Sequence, residues 1–352
     1  SVRNVEETDY LKSRGIDVII TDHHLLPPEL PRADAVINPK MGDYKDEMIA
    51  GVGVAYQFII AYLQKNNVVE LLNNKGFMDT ILIHTGIGTI CDRVPMTHDN
   101  RIIVKNAYDL IISKKNKKFE DFFNVIAEEF QFESYNKVLN FLAGVYKSNK
   151  CKNGTNEIFD YFINGKDDLN FLRQICRKMF ENHNQIKDFY DNIIKEFDME
   201  NYEKNSFAYY NEKFKYSHIS ALASKLTEFL GKPVVIIAKE KDYFVAEARG
   251  PKSFNLVESF DYFKNLFVTY GGHRQAAGFS VATEENVKNF VANYEDFFEI
   301  NNFTFDSNEN NNYDFIVQTK EEIFEIIDEI KKLIPFTRSF NLPRFKVSDT
   351  SE

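Results

Sequence analysis

Apolar residues in this chain follow two spacings, and the change between them divides it. Val5–Ser13 carries helical spacing and is stopped by Gly15. Residues 17–21 then bring a β-branched run, Val18-Ile-Ile20, whose unbroken apolar character predicts a buried parallel strand. Ala35–Ile37 predicts a second short strand, ended by Asn38-Pro39. Gly51-Val-Gly-Val54 opens an apolar helix to about Leu63. Its glycines favour close packing, because no G-x-G-x-x-G or G-K-[ST] pattern follows. Residues 78–91 form another apolar element, interrupted by Gly86 and Gly88 and closed by Asp92-Arg-Val-Pro95. Residues 101–197 are helical in pattern throughout, and 169–197 is long enough to connect two domains. Near Asn205 the spacing changes. Phe207–Tyr210 predicts a strand, 217–230 a helix, Gly231-Lys-Pro233 a turn, and 234–238 and 243–248 two further strands. A closing helix spans 283–298, with Thr283 as N-cap and Glu284 and Glu285 in its first turn. Residues 301–312 are polar, Asn-rich and linker-like, and a strand–helix pattern begins again at 313–317 and 321–333.

With 352 residues, 43% of them apolar, the chain can build two or three domains with proper cores. Phe and Tyr carry the aromatic packing, since Trp is absent. Lys+Arg 43 against Asp+Glu 53 leaves a net charge of −10. That balance argues against coating nucleic acid by bulk charge, but not against a phosphate site built around a bound cation. Lys114, Lys115, Lys117 and Lys118 form one basic run, read as a solvated loop, with backbone steering as the alternative. Cys91, Cys151 and Cys176 are odd in number and widely spaced, which fits a reducing cytoplasm and no disulfide framework. The most apolar stretch, 49–63, contains Gln57 and is too short to span a bilayer, and no signal peptide is visible. The chain is therefore expected to be cytoplasmic, without a membrane partner.

Chemistry concentrates at two places. Asp22, His23 and His24 follow the Val18–Ile20 run directly, and Pro27-Pro28 stops the chain soon after. One carboxylate and two imidazoles at the carboxyl end of a strand in an α/β sheet stand where ligands bind. That donor set suits Mn²⁺, Fe²⁺ or Zn²⁺ better than Ca²⁺. Asp92 ends a second buried element; taken alone it would serve equally as a capping or turn residue. Farther on, a Gly271-Gly272 turn precedes His273. Glycines at positive φ let backbone N–H groups approach an anion, and His273 can then donate to a phosphate oxygen. Arg249 adds a planar cation suited to a bidentate phosphate grip.

In order along the chain, Thr21-Asp-His-His24, Ala35-Val-Ile-Asn-Pro39, Ala50-Gly-Val-Gly-Val54, Gly88-Thr-Ile-Cys-Asp92 with Val94-Pro95, and Asn100-Arg101 resemble the motifs of the DHH phosphoesterase superfamily. Within it they resemble the RecJ-type single-strand-specific 5′→3′ DNA exonucleases. Ala248-Arg249 and Gly271-Gly-His273 with Ala276-Ala-Gly278 resemble the DHH-associated domain. The resemblance covers about residues 1 to 300. It implies two-metal phosphodiester hydrolysis with Mn²⁺ or Mg²⁺, in DNA repair and recombination. Asp22, His23 and Asp92 would belong to the metal site, and His24 would be a ligand or a phosphate contact. Arg249, Gly271, Gly272 and His273 would bind substrate phosphate. Single-stranded DNA is the implied partner. The alternatives are a phosphodiesterase for short oligonucleotides or cyclic dinucleotides, and a non-catalytic replication scaffold of the same fold.

The expected fold is α/β: a parallel-sheet DHH domain with a helical connector over 1–200, a smaller α/β DHH-associated domain over 201–300, and a linker with the start of an oligonucleotide-binding-like domain over 301–352. The family's Asp-x-Asp motif and a further upstream Asp have no counterpart in residues 1–17, which hold only Asp9 and Asp17. With Ser1 as its first residue, the chain is expected to be a fragment without the N-terminal strands. On that reading it holds at most one cation weakly and is inactive alone. The family's arginine-rich Pro-Arg-x-Asn-Ala-Ala-Gly-Arg block is matched only by Val138-Leu-Asn-Phe-Leu-Ala-Gly144, without arginines. Leu333-Ile-Pro-Phe-Thr-Arg-Ser-Phe-Asn341 loosely resembles the segment that leads into the family's oligonucleotide-binding domain.

Overall fold

The structure is a computed structural model describing residues 1–113, 115–130, 138–148, 156–162, 168–195, 204–303, 305, 313–337 and 340–348. Lys114, Cys151 and most of residues 301–312 lie outside that set. The chain divides into two units, Ser1–Met179 with Tyr313–Glu352, and Phe180–Asn312. Both mix helices and strands, as the spacing predicts. Among the described residues no helix is long and apolar enough to cross a membrane.

In the first unit, α1 (Val5–Ser13) ends just before Gly15, which sits at φ 72° and turns the chain toward β1 (Ile19–Thr21). β1 pairs in parallel with β2 (Ala35–Ile37), with Ile20 opposite Val36. The expected strand buried on both faces is not what forms. Ile20 is buried, but Ile19 is 56% exposed, because β2 is the single strand paired with β1 among the described residues. Helices α2 (Gly51–Lys65), α3 (Val69–Asn73), α4 (Lys75–Asp92) and α5 (His98–Ile112) follow. Gly86 and Gly88 do not interrupt α4. A Cβ at Gly88 would lie 2.9 Å from Val52 Cγ1, so the missing side chain lets α4 lie against α2. Arg93, left-handed at φ 61°, stops α4 and leaves Asp92 in its last turn.

Ile83 and Ile87 of α4 and Val104 and Ile111 of α5 enter one core with Phe119 and Phe122 of α6 (Lys117–Phe130) and Leu142 of α7 (Val138–Ser148). Tyr161 of α8 (Ile158–Phe162) and Leu172 of α9 (Leu169–Lys195) complete it. The boundary between the units falls inside α9, the predicted connector.

The second unit holds a five-stranded sheet ordered β3-β4-β5-β7-β6. β3 (Phe207–Tyr210) runs parallel to β4 (Val234–Glu240); β4, β5 (Tyr243–Arg249), β7 (Ala276–Val281) and β6 (Thr269–His273) are antiparallel neighbours. The run Val234-Val-Ile-Ile-Ala238 is buried on both faces. Val234, Ile236 and Ala238 pack with α10 (Tyr216–Leu230); Val235 and Ile237 pack with α11 (Leu256–Tyr262) and α12 (Glu284–Ile300). Thr283 Oγ1 caps α12 by accepting from Asn286 N at 3.2 Å.

The chain closes with β8 (Phe315–Val317), α13 (Lys320–Lys332) and β9 (Phe345–Val347), the two strands again parallel. These elements belong with the first unit instead of forming a separate body. Ile334 and Phe340 pack against its core, and Arg101 and Asn140 donate to carbonyls of residues 333–336.

Candidate metal centre

The chain leaves β1 with Asp22 N donating to Ile37 O at 3.0 Å, one step beyond the parallel ladder. Asp22 is 5% exposed, and its carboxylate is fully engaged. Oδ2 accepts from Ser1 Oγ and Val2 N, each at 2.7 Å. Oδ1 accepts from His23 N at 2.7 Å, His24 N at 3.2 Å and His24 Nδ1 at 2.6 Å. Burial alone would push this carboxyl up. The Val2 N–H, the Ser1 hydroxyl and His24 outweigh it and hold Asp22 far below the usual carboxylate range. An ionised carboxylate only accepts, so it fixes the proton of His24 on Nδ1 and leaves Nε2 at the exposed end of the ring.

His23 points the other way, toward α4. Its Nε2 lies 3.2 Å from Asp92 Oδ2. Burial pushes its pKa down, while the Asp92 carboxylate pulls it back up. The neutral ring that burial favours is the form that binds metal. Gly51, at the start of α2, makes room for this ring: a Cβ there would sit 3.2 Å from His23 Cδ2. Asp22, His23, His24, Gly51, Val52, Gly88, Cys91 and Asp92 line an open cavity of about 430 Å³. Donor atoms of Asp22, His23 and His24 all lie within 4.8 Å of one another. Donors at right angles on an octahedral cation, each about 2.1 Å away, stand about 3.0 Å apart. The spacing of His23 Nε2 and Asp92 Oδ2 fits that requirement. At Asp22 a cation on Oδ2 would compete with Ser1 Oγ and Val2 N, and one on Oδ1 with His23 N, His24 N and His24 Nδ1.

Three residues brace this loop and were not singled out from sequence as site residues. Asn38 Nδ2 donates to His24 O at 3.0 Å, and Lys40 Nζ donates to the carbonyls of His23 and Glu47. Asn100, fully buried, donates to Met48 O at 2.8 Å and Pro95 O at 3.0 Å and accepts from Ala50 N at 3.0 Å. The one signal in the sequence was that Asn38 lies in the Ala35–Pro39 motif and Asn100 in the Asn100-Arg101 pair, both of which carry the family resemblance.

In the second unit, Gly271 and Gly272 lie inside β6, not in a turn; the turn is Arg274-Gln275. Gly272 has φ 143°, and a Cβ there would meet Ala276 O and Ala277 Cα at 2.6 Å. Gly271 has no such constraint. His273 and Arg249 both pair with Ala276 of β7, one from each side. Directly paired residues share a face, so Arg249 and His273 flank a small alanine in one cross-strand row. His273 is exposed. Arg249 is tied back: Nη2 donates to Ser220 Oγ at 2.5 Å, and Nη1 to Ala248 O at 2.7 Å and Glu247 Oε2 at 3.2 Å.

Residues 1–83 match the DHH family N-terminal domain, and residues 204–300 match the DHHA1 domain. The chain is 24% identical over 290 residues to the single-stranded-DNA-specific exonuclease RecJ of Bacillus subtilis, covering 80% of this chain and 35% of that protein. It is 36% identical over 107 residues to RecJ of Haemophilus influenzae, covering 29% of this chain and 18% of that one. Its fold is similar to that of a crystal structure of Thermus thermophilus RecJ in complex with Mn²⁺, with a TM-score of 0.78 at 19% identity, over 98% of this chain and 50% of that one. A crystal structure of exonuclease RecJ bound to manganese is similar with a TM-score of 0.65 at 20% identity, over 84% of this chain and 73% of that one. The chain thus spans about a third of the Bacillus protein and half of the Thermus chain.

Proposed function

We infer, from a chain that is a RecJ-like member of the DHH superfamily, that its first unit hydrolyses phosphodiester bonds with a divalent cation, Mn²⁺ or Mg²⁺, at His23 and Asp92. Single-stranded DNA is the substrate carried over from the relatives. The carrying observation is the convergence of His23 Nε2 and Asp92 Oδ2 at 3.2 Å across an open cavity, from two elements far apart in sequence.

Each residue then has a role. His23 and Asp92 supply the nitrogen and oxygen donors. Asp22 orients His24 by accepting from its Nδ1–H, which leaves the Nε2 lone pair available to a cation or to a water proton. Asn38 and Lys40 hold the backbone of the two histidines. The bound cation supplies charge neutralisation at the phosphoryl oxygens and acidifies water. Arg249 and His273, in one row of the second unit, are the phosphate-binding pair. Arg249 reaches substrate by exchanging its Ser220 and Glu247 partners for phosphate oxygens.

The test is release of nucleotide from 5′-labelled single-stranded DNA, duplex DNA and a dinucleotide with Mn²⁺. Chelator-sensitive cleavage favouring single strands is expected of the full-length protein, with His23→Ala and Asp92→Ala each lowering it at least about a hundredfold. Cleavage that survives both substitutions would remove these residues from the metal site. Preference for the dinucleotide would redirect the substrate assignment.

A further inference from the structure

We propose that Leu333 to Thr337 and Phe340 form a clamp that sets the geometry of the metal centre through the first turn of α5. This rests on His23 and Asp92 being the metal ligands. The segment follows α13 and is gripped mainly by its backbone. Arg101 Nη2 donates to Leu333 O at 2.5 Å and Nη1 to Pro335 O at 2.8 Å, and its guanidinium carbon stands 4.5 Å from the Phe340 ring centroid. Asn140 of α7 donates to Phe336 O at 3.0 Å. Thr337 and Phe340 close the end with two backbone hydrogen bonds of 2.8 and 3.1 Å.

The residue beside Arg101 is Asn100, about 100° around the same turn, and it serves a different set of partners. Its amide joins Met48 O, Pro95 O and Ala50 N. Pro95 lies three residues beyond Asp92, and Ala50 precedes Gly51, against which the His23 ring rests. Asp99 N donates to Asp46 Oδ2 at 3.1 Å, which binds the same turn to the loop before α2. One helical turn therefore carries the clamp through one residue and both metal-site loops through the next. The first turn of a helix frays most readily when its outside contacts go. Releasing the clamp frees Arg101, loosens Asn100, and lets the Ala50 and Pro95 backbones drift. Metal ligands tolerate only about half an ångström of drift. Arg101 and Asn140 are thus positioning residues: neither touches the cavity, and both act on it through α5.

The experiment uses the full chain with Arg101→Gln and Asn140→Ala. The second variant frees the clamp at Phe336 without altering α5. Hydrogen–deuterium exchange is read at the Ala50 amide, and Mn²⁺ affinity is read by calorimetry. Both variants are expected to raise Ala50 exchange about tenfold and to weaken Mn²⁺ three- to tenfold, at unchanged helix content. Arg101→Lys, which reaches one carbonyl, should fall between. Should Arg101→Gln fail to fold, Asn140→Ala decides. Wild-type exchange at Ala50 in Asn140→Ala overturns the clamp, and so does faster exchange with unchanged Mn²⁺ affinity. Absence of Mn²⁺ binding in the wild-type chain would instead refute the ligand assignment, while the exchange measurement would still decide whether the clamp holds the loops.

Discussion

Asp22 is a candidate metal ligand by position, and its part in the proposed site turns on the donors around it. A carboxylate beside two histidines reads as a ligand, yet both of its oxygens accept from Ser1, Val2, His23 and His24. Replacing it by asparagine turns one of those acceptors into a donor and leaves a buried donor facing it, at a cost of about 1–3 kcal/mol. Asp22→Asn is therefore expected to lower turnover at least tenfold while Mn²⁺ affinity stays within about threefold of wild type. His23→Ala should remove Mn²⁺ binding. Loss of metal in both variants, measured by calorimetry, would return Asp22 to the ligand set. Gly51 gives a second residue-scale prediction. An alanine there suits α2 as a helix former, but its Cβ would press on His23 Cδ2 at 3.2 Å. Gly51→Ala should keep the melting temperature and weaken Mn²⁺ about threefold, because the ring must yield by a few tenths of an ångström. A lower melting temperature with intact affinity would place the strain in the helix instead.

At the scale of elements, α10 carries an unexpected burden. His218 lies in its first turn, 1% exposed, and neither ring nitrogen has a hydrogen-bond partner among the described residues. Burial pushes its pKa down, and Lys215 adds to that. The folded state thus needs the neutral ring, whereas the unfolded chain takes up a proton near pH 6.5. The unfolded state binds more protons as pH falls below that value, so stability declines from about pH 6.5 downward and returns as pH rises. His23 and His84, both also held low by burial, contribute with the same sign. Each histidine limits the slope to about 1.4 kcal/mol per pH unit. Urea midpoints are expected to fall between pH 7.5 and 5.5. His218→Leu should flatten part of that fall and be neutral or stabilising by up to about 1 kcal/mol at pH 7.5, since it replaces an unsatisfied polar ring by an apolar side chain. An unchanged pH profile in His218→Leu would mean that the ring is solvated in solution.

Over the whole molecule, each unit owns a core. The cluster around Ile87, Phe122 and Leu142 serves the first, and two clusters on opposite faces of β4 serve the second. Independent cores unfold independently unless a large interface couples them. Scanning calorimetry is expected to resolve two transitions, with Mn²⁺ raising only that of the first unit. One two-state transition whose calorimetric and van't Hoff enthalpies agree would show the units to be a single cooperative body.

Much of the second unit was legible because its strands alternate or run apolar in a way that one face or both must bury. Phe207–Tyr210 forms a strand as read, Val234-Val-Ile-Ile-Ala238 lies in β4, and Thr283 is the cap. Order along the chain also made the family resemblance legible, because several spaced motifs in sequence identify a fold without any coordinates. Three other properties are not carried by local pattern. Gly86 and Gly88 look like helix breakers, and only the approach of neighbouring helices shows that α4 needs their missing side chains. Gly271-Gly272 looks like a turn, and only pairing with Ala277 and Gly278 makes it an edge strand. Asp22 looks like Asp92, one carboxylate like another. Both line one open cavity; what separates them is the donors the fold brings near, backbone and side-chain groups around Asp22 and the His23 imidazole beside Asp92. Residue type and spacing determined the chemistry available here. Contacts between residues far apart in sequence decided which atoms are free to perform it.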